Sequence, residues 1–294
     1  MKLISVIMLW AVFFCTFLSG EIVASSVSKS LLFCFKNVVP SLFVYVVLSE
    51  VFIQANMLKK MSCYINKYLW ISKKSSYLIS AFIISTFCGA PIGAKLSYCS
   101  YKSGIISKKT AILLNSVTNN ISISFVFGLC SVKTYMYIEA FIIMIISSIL
   151  SSVILAITIK ESDELMNAYY DNSTFDFSKI IKSSMISMLN ICASIAVFQF
   201  IADMLVYIFS VNPKYINGFF EFSNGIYSLD NNSFVLMTFY LCFGGFSLHS
   251  QIMSVWEGEL KYKYIIIPKM VQAVLSIFFC KMFLQFVDKS IVLL

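Results

Sequence analysis

One interrupted apolar run sets the expectations for the whole chain, and its centre reads Cys88-Gly89-Ala90-Pro91-Ile92-Gly93-Ala94-Lys95. The run covers residues 77–101, where a membrane helix should be least disturbed. Pro91 removes a backbone donor, and Gly89 and Gly93 loosen the helix. Inside a bilayer the freed backbone groups need protein or water partners. The stretch therefore predicts either a packing kink or the broken tip of a solute site.

The composition is that of a membrane protein. Of the 294 residues, 59% are hydrophobic and only 12% are charged, and the mean hydropathy is +0.86. Several apolar runs approach the roughly 20 residues that a membrane span needs. We therefore expect an all-α polytopic membrane protein embedded in a lipid bilayer, without a sizeable soluble domain.

The net charge of +8 comes from lysine alone, because the chain has no arginine. These lysines gather in short loops, which is typical of cytoplasmic loops and does not indicate nucleic-acid binding. The nine cysteines fall mostly inside apolar runs and form no CxxC pair or Cys/His cluster. We therefore expect no metal site, no disulfide framework and no cofactor.

The first helix is expected over 3–23, in an N-terminal segment of residues 1–28. A cleaved signal peptide is the alternative. The apolar run is long for such a peptide, and no clear small-x-small cleavage site precedes Glu21. A short polar join then leads to a second span at 31–54.

Loop charge indicates how the interrupted run sits in the membrane. The loop before it, 56–76, carries five lysines, and the loop after it, 102–109, carries three, with no acid in either. If both loops are cytoplasmic, residues 77–101 cannot cross and must return as a re-entrant hairpin with its tip near Gly89 to Gly93. An ordinary kinked span with one basic loop outside is the alternative.

The second half of the chain repeats features of the first. At an offset of 153 residues three polar residues recur inside apolar spans, and at an offset of 155 the glycine breaks coincide. The matches are Asn37 with Asn190, Ser41 with Ser194, Glu50 with Asp203, and Gly89 with Gly244. The two acids are half-site partners, ion ligands, or span ends facing water. Membrane composition shared by the two halves is the alternative to a true repeat.

These matches predict an inverted repeat in which each half carries a glycine-broken re-entrant helical hairpin. Loops 212–232 and 256–263 carry acids beside their lysines, so both are expected outside. Paired broken segments point to a transporter site near the membrane midplane. The expected units are an N-terminal helix at 1–28, a first repeat at 29–134 with hairpin 77–101, a connecting helix and polar loop at 135–180, and a second repeat at 181–294 with hairpin 233–255.

Several single residues each allow two interpretations. Lys95 can neutralise an anionic solute or extend to the membrane surface. Asn119 and Asn120 can bind substrate or cap a helix break. His249, the only histidine, can be a hydrogen-bonded structural residue or a solute contact. Hairpin tips suit a carboxylate, because helix N-termini present unpaired N–H groups and a positive dipole end.

Four stretches of the chain carry a family resemblance. They are Asn37-Val38-Val39-Pro40-Ser41-Leu42-Phe43 with Glu50; Gly89 to Lys95; Gly104-Ile105-Ile106-Ser107-Lys108 to Asn119-Asn120; and Glu221-Phe222-Ser223-Asn224-Gly225 with Phe243-Gly244-Gly245-Phe246-Ser247-Leu248-His249-Ser250-Gln251. With these stretches the chain resembles the YlbJ-type sporulation integral membrane proteins of the nucleoside-recognition or gate group, which are similar to concentrative nucleoside transporters. The resemblance covers about 30–285. It departs after the asparagine pair, where Ile121 stands at the place of a frequent proline.

The resemblance implies a role in spore formation, with dipicolinic acid carried across the outer forespore membrane of a spore-forming bacterium. Dipicolinate is a small aromatic dianion, which suits hairpin tips, a lysine and polar amides. The substrate-binding residues expected from the breaks and the resemblance are Asn37, Ser41, Gly89, Pro91, Gly93, Lys95, Asn119, Asn120, Glu221, Asn224, Gly244, Gly245, Ser247, His249 and Gln251.

Other functions stay open at this point. A nucleoside or another small metabolite is an alternative substrate, and a non-transporting membrane scaffold for spore maturation is an alternative class. An enzyme is not expected, because no paired aspartates, Ser/His pair or metal cluster lies at a plausible depth. The sequence leaves homo-oligomerisation open.

Overall fold

The computed structural model describes residues 17, 19–55, 57–159, 176–231 and 233–292, with side chains to residue 287. All regular structure in these residues is helical. Six helical segments within them are long and apolar enough to cross a membrane. The predicted class, an all-α multi-pass membrane protein, is confirmed. The predicted first helix at 3–23 lies mostly outside the described residues.

The helices follow one another in an order that matters for the site. Their bounds are α1 Gly20–Phe33, α2 Val39–Gln54, α3 Met57–Leu69, α4 Lys73–Cys88, α5 Ile92–Lys102, α6 Lys108–Thr118, α7 Ile123–Phe125, α8 Tyr137–Thr158, α9 Phe177–Phe209, α10 Pro213–Phe220, α11 Phe222–Tyr227, α12 Phe234–Phe243, α13 Gly245–Val255 and α14 Lys263–Val292. A π-helical turn, Cys34–Val38, joins α1 to α2, and another, Val126–Cys130, extends α7.

The first long helix contradicts one predicted boundary. The segment Gly20–Gln54 is continuous through the π-helical turn, so no join separates a helix before residue 28 from a span at 31–54. The serines of the predicted polar join, Ser26 among them, lie within the helix. Ser30 bonds back to the carbonyl of Ser26 at 2.8 Å, a side-chain bond that lets a serine sit inside an apolar helix.

The first helical hairpin forms as its glycines suggest. Gly89, with a φ of +76°, ends α4, and α5 begins three residues later at Ile92. The two helices run antiparallel, because Tyr77 near the start of α4 bonds Ser100 near the end of α5 at 2.7 Å. Both ends of this hairpin therefore lie at one end of the bundle. We call this end the lysine-rich face, because Lys73 begins α4 and Lys102 ends α5 there.

A second helical hairpin lies where the sequence indicated only a loop. Helices α10 and α11 turn at Glu221, and they pack through two glycines, since a Cβ on Gly225 would lie 2.2 Å from the Cα of Gly218. Lys214 Nζ and Asp230 Oδ2 close the open end at 3.2 Å. The neighbouring Asp230 raises the pKa of Lys214.

The hairpin predicted at 233–255 is instead a broken helix that crosses the bundle. Phe234 at its start contacts Phe283 of α14, with ring centroids 6.1 Å apart, while its end is joined by a short loop to Lys263. The rise per residue of an α-helix puts Phe283 and Lys263 about 30 Å apart along α14. Loop 256–262 therefore lies at the lysine-rich face, where Glu259 pairs with Lys102. The prediction that loops 212–232 and 256–263 share one face is wrong.

The same order of elements occurs twice in the described chain: a long helix, a helical hairpin, a broken span and a final span. The first half contains α1–α2, α4–α5, α6–α7 and α8, and the second contains α9, α10–α11, α12–α13 and α14. In this order α8 and α14 take the same place, the final span. Helix α3 has no counterpart among the described helices of the second half.

The long helices of the two halves pack against each other in opposite directions. Ser183, near the start of α9, donates to Glu50, near the end of α2, at 2.9 Å. Ser26, near the start of α1, donates to Asp203, near the end of α9, at 2.5 Å. The contacts therefore run in reverse sequence order, which requires antiparallel helices.

Candidate functional site

The first hairpin tip rests on the break between α6 and α7. The amide of Ala90 donates to the carbonyl of Asn120 at 2.8 Å, which satisfies two backbone groups that the breaks leave free. A Cβ on Gly89 would lie 2.6 Å from the backbone nitrogen of Ser122. One turn further on, a Cβ on Gly93 would lie 2.5 Å from the carbonyl oxygen of Thr118. The glycines let the hairpin approach the broken span closely.

The second hairpin tip rests in the same way on the break between α12 and α13. A Cβ on Gly245 would lie 3.0 Å from both the carbonyl oxygen of Phe220 and the amide nitrogen of Phe222. Gly244 and Gly245 have φ values of +79° and +71°, a region that favours glycine. In both halves, then, a hairpin tip packs against a broken span.

One small cavity lies between these elements. Its volume is about 30 Å³, which is enough for a water molecule and far too small for an organic solute. Both tips, both broken spans and the crossing of α2 with α9 contribute to its lining, which includes Ala90, Ser122, Phe222, Ser223, Gln251 and Ile195. The centre of the bundle is therefore closed in this structure.

Glu221 is a fully buried acid at the second tip. Its Oε2 accepts from the Ser223 hydroxyl at 2.6 Å and from the Asn224 amide at 2.7 Å, so the acid caps the start of α11. Its Oε1 has no hydrogen-bond partner among the described residues. Buried polar atoms nearly always have partners, so this oxygen is available to a solute donor or a cation.

The first break holds a buried ammonium that the sequence reasoning missed. Lys269 of α14 is 3% exposed, and its Nζ donates to Gln272 Oε1 at 3.0 Å and to Asn120 Oδ1 at 3.4 Å. Gln272 also donates to Asn120 Oδ1, at 2.8 Å. No carboxylate pairs with Lys269 in the described part of the chain. A lysine in the middle of an apolar span was the signal that could have revealed it.

Asn119 lies beside this cluster but faces a different partner. Its amide nitrogen donates to the carbonyl and the side-chain oxygens of Asn115, at 2.8 and 2.6 Å. Its Oδ1 has no partner among the described residues, and the same holds for the hydroxyl of Ser247 in the first turn of α13. Both predicted residues therefore offer one open acceptor or donor near a helix break.

Lys95 forms an ion pair with Glu50. The pair joins α5 to α2, and Ser183 of α9 hydrogen-bonds both members, at 3.3 Å to Lys95 and 2.9 Å to Glu50. The charge of Lys95 is therefore balanced by a protein carboxylate, and neither of the two predicted roles, solute contact or surface contact, is needed to account for its position.

His249 is buried, and protein atoms occupy both ring nitrogens. Nε2 lies 3.0 Å from the carbonyl oxygen of Phe243, and Nδ1 lies 3.3 Å from the hydroxyl of Tyr262. The neutral ring meets both with Nε2 as donor and Nδ1 as acceptor. The Phe243 carbonyl ends α12 at the glycine break, so this contact supports the structural reading of His249.

Asn37 and Ser41 lie away from the closed centre. They line a groove on the outside of the bundle together with Lys36, Ser124 and Gly128. The Asn37 side chain bonds back to the carbonyl of Phe33 at 3.3 Å, and Ser41 bonds back to that of Asn37 at 2.8 Å. The structure does not bring them together with the residues at the breaks.

Comparisons of the chain with protein families, with curated proteins and with solved structures find no match. No group of three or more metal-ligating side chains occurs among the described residues.

Proposed function

We propose that this protein is a membrane transporter of a small organic anion. One observation carries the proposal: two helical hairpin tips and two broken spans meet around a single closed centre. Broken helices at membrane depth occur where they are buried in protein or line a cavity, and paired broken segments are typical of secondary transporters. The centre is too small for a solute here, which fits an occluded step of alternating access.

The arrangement of the two halves supports an inverted repeat. The first hairpin opens to the lysine-rich face, where Tyr77 meets Ser100. The second opens to the opposite end, where Lys133 donates to the carbonyl of Leu229 at 2.9 Å. The antiparallel packing of α1–α2 on α9 agrees with a twofold axis in the membrane plane. The repeat we propose pairs the first hairpin with 213–227 and pairs the break at Asn119–Ser122 with Gly244.

An anion is the substrate class that the charges favour. Lys269 is a buried ammonium bonded to neutral amides at the first break, and an uncompensated buried charge is costly unless a partner arrives. Dipicolinate follows only from the family resemblance. Under the same resemblance, the protein acts in the outer forespore membrane, and the lysine-rich face is cytoplasmic by the positive-inside rule.

A nucleoside is the second candidate, and Glu221 is the observation that favours it. A buried carboxyl group with one open oxygen accepts a hydrogen bond from a sugar hydroxyl. The two candidates therefore use opposite sides of the centre: Lys269 for the anion and Glu221 for the neutral solute.

Uptake by sealed vesicles that contain the purified full chain tests the proposal. We expect labelled dipicolinate to accumulate, and unlabelled dipicolinate to compete more strongly than nucleosides. Stronger competition by nucleosides would reverse the order of the candidates. No uptake of either solute by vesicles of either orientation would overturn transport and favour the scaffold alternative.

A further inference from the structure

Helix α3 is the element that distinguishes the two halves, and a groove lies beneath it. The second half passes from α9 to α10 without any comparable helix. In the first half, α3 lies between the end of α2 and the open end of the first hairpin. Its Ser62 contacts Ser76 of α4 at 3.0 Å. Transport by two similar halves does not require this additional helix.

The groove has the size of a ligand site. Its volume is about 520 Å³, within the roughly 300–1,000 Å³ that small-molecule sites occupy. It is bounded by α3, by the starting half of α4 and by the ending half of α5. It is distinct from the closed centre, because its lining shares no residue with the central cavity.

The lining of the groove is amphiphilic. Three lysines, Lys59, Lys73 and Lys74, lie along it, and no acid does. The remaining wall is mostly apolar and includes Phe52 and Leu96. A ligand that matches this lining carries a negative head group and hydrocarbon chains.

The surroundings of the groove are those of a membrane interface. Tyr64, Tyr68 and Trp70, on α3 or just after it, are 66%, 72% and 92% exposed. Aromatic side chains of this kind concentrate where hydrocarbon meets head groups. We therefore expect the groove to lie at the level of the phospholipid head groups.

We propose that the groove between α3, α4 and α5 binds an anionic phospholipid, with the phosphate beside Lys59 and Lys73. Basic pockets between helices at the cytoplasmic surface bind such head groups, and each lysine near an anionic surface contributes enough to change affinity about fivefold. The bound lipid holds α3 against the open end of the first hairpin. This site does not depend on the solute that the protein carries.

Native mass spectrometry of the full chain in a neutral detergent tests the site. The probes are phosphatidylglycerol, phosphatidylcholine with the same acyl chains, and glycerol phosphate, which has the head group without chains. We expect one phosphatidylglycerol to bind more tightly than the other two probes. Equal binding of phosphatidylcholine would overturn the proposal. Glycerol phosphate binding as tightly as the lipid would also overturn it and indicate a soluble phosphate ligand.

Two double variants on the same surface provide matched charge changes. Lys59→Gln/Lys73→Gln removes two groove lysines, and we expect phosphatidylglycerol to bind about thirtyfold more weakly. Lys60→Gln/Lys67→Gln removes two exposed lysines of α3 that do not line the groove, and we expect less than a threefold change. Equal weakening in both variants would show general charge attraction and overturn the site. If the first variant fails to fold, Lys73→Gln alone carries the test, with a fivefold expectation.

Discussion

Glu50 and Asp203 occupy matching places at opposite ends of one antiparallel helix pair. Each acid lies near the end of its long helix and accepts from a serine near the start of the other, Ser183 for Glu50 and Ser26 for Asp203. Only Glu50 also binds a lysine, Lys95 of the first hairpin. The other acid has a neutral second partner, Gln199, at 2.7 Å. The ion pair therefore ties the first hairpin to the long helices.

The Lys95–Glu50 pair leads to a prediction that separates structure from solute binding. Glu50→Gln leaves the lysine unpaired in a mostly buried place. We expect the free energy of unfolding to fall by roughly 1–3 kcal/mol. This is less than the loss for a fully buried pair, because the Lys95 side chain is 27% exposed. The double variant Glu50→Gln/Lys95→Gln should recover most of that loss.

Uptake decides the role of Lys95 in the same set of variants. If the lysine serves only the pair, the double variant transports dipicolinate at a rate close to that of the unchanged protein. If Lys95 holds the anion, uptake stays lost even though thermal unfolding in detergent shows that stability has returned. The singly substituted Lys95→Gln protein, with Glu50 left unpaired, completes the cycle.

Two glycine substitutions, one at the first hairpin tip and one away from it, are expected to have different outcomes. Gly89→Ala places a Cβ 2.6 Å from Ser122 at a φ of +76°, and the left-handed backbone alone costs about 1–2 kcal/mol. We expect a lower melting temperature and loss of uptake. Gly128→Ala is the control, because a Cβ there meets nothing within 4 Å. It should leave both measurements unchanged or raise the melting temperature slightly, and an equal effect of the two substitutions would contradict the packed tip.

Topology gives a third prediction, because loop 256–262 was expected at the face opposite Lys102. In a Cys63→Ser background, the pair Lys102→Cys/Glu259→Cys should be joined by a short bismaleimide, since the two native side chains form an ion pair. The pair Lys133→Cys/Glu259→Cys should stay unlinked, because Lys133 contacts Leu229 at the other end of the bundle. Gel mobility distinguishes the linked protein from the unlinked protein in both cases. Linking of the second pair alone would restore the hairpin at 233–255.

The sequence indicated the class, the long spans and the glycine breaks, because each has a strong local signal. It missed the second hairpin because α10 and α11 are short, carry Asn217 and Asn224, and turn at Glu221, so the hydropathy of the segment resembles that of a loop. Ser26 of α1 looked like part of a polar join because its partner, Asp203, is distant in sequence. Under the repeat we propose, the offset of 153 applies to the long helices only, since α3 lengthens the first half before its hairpin.

The buried ammonium at the first break provides the sharpest test of the substrate class. Lys269→Met replaces the amine by an apolar chain of similar length, and replacing a buried charge with a well-packed apolar side chain is often neutral or stabilising. We therefore expect a folded protein with an unchanged or higher melting temperature and at least tenfold less dipicolinate uptake.

Gln272→Leu is the matched control. It removes a neutral member of the same cluster, which donates to Asn120 at 2.8 Å, and should lower stability by about 1–3 kcal/mol while retaining more uptake than Lys269→Met. Normal anion uptake by Lys269→Met would show that this lysine does not attract the solute.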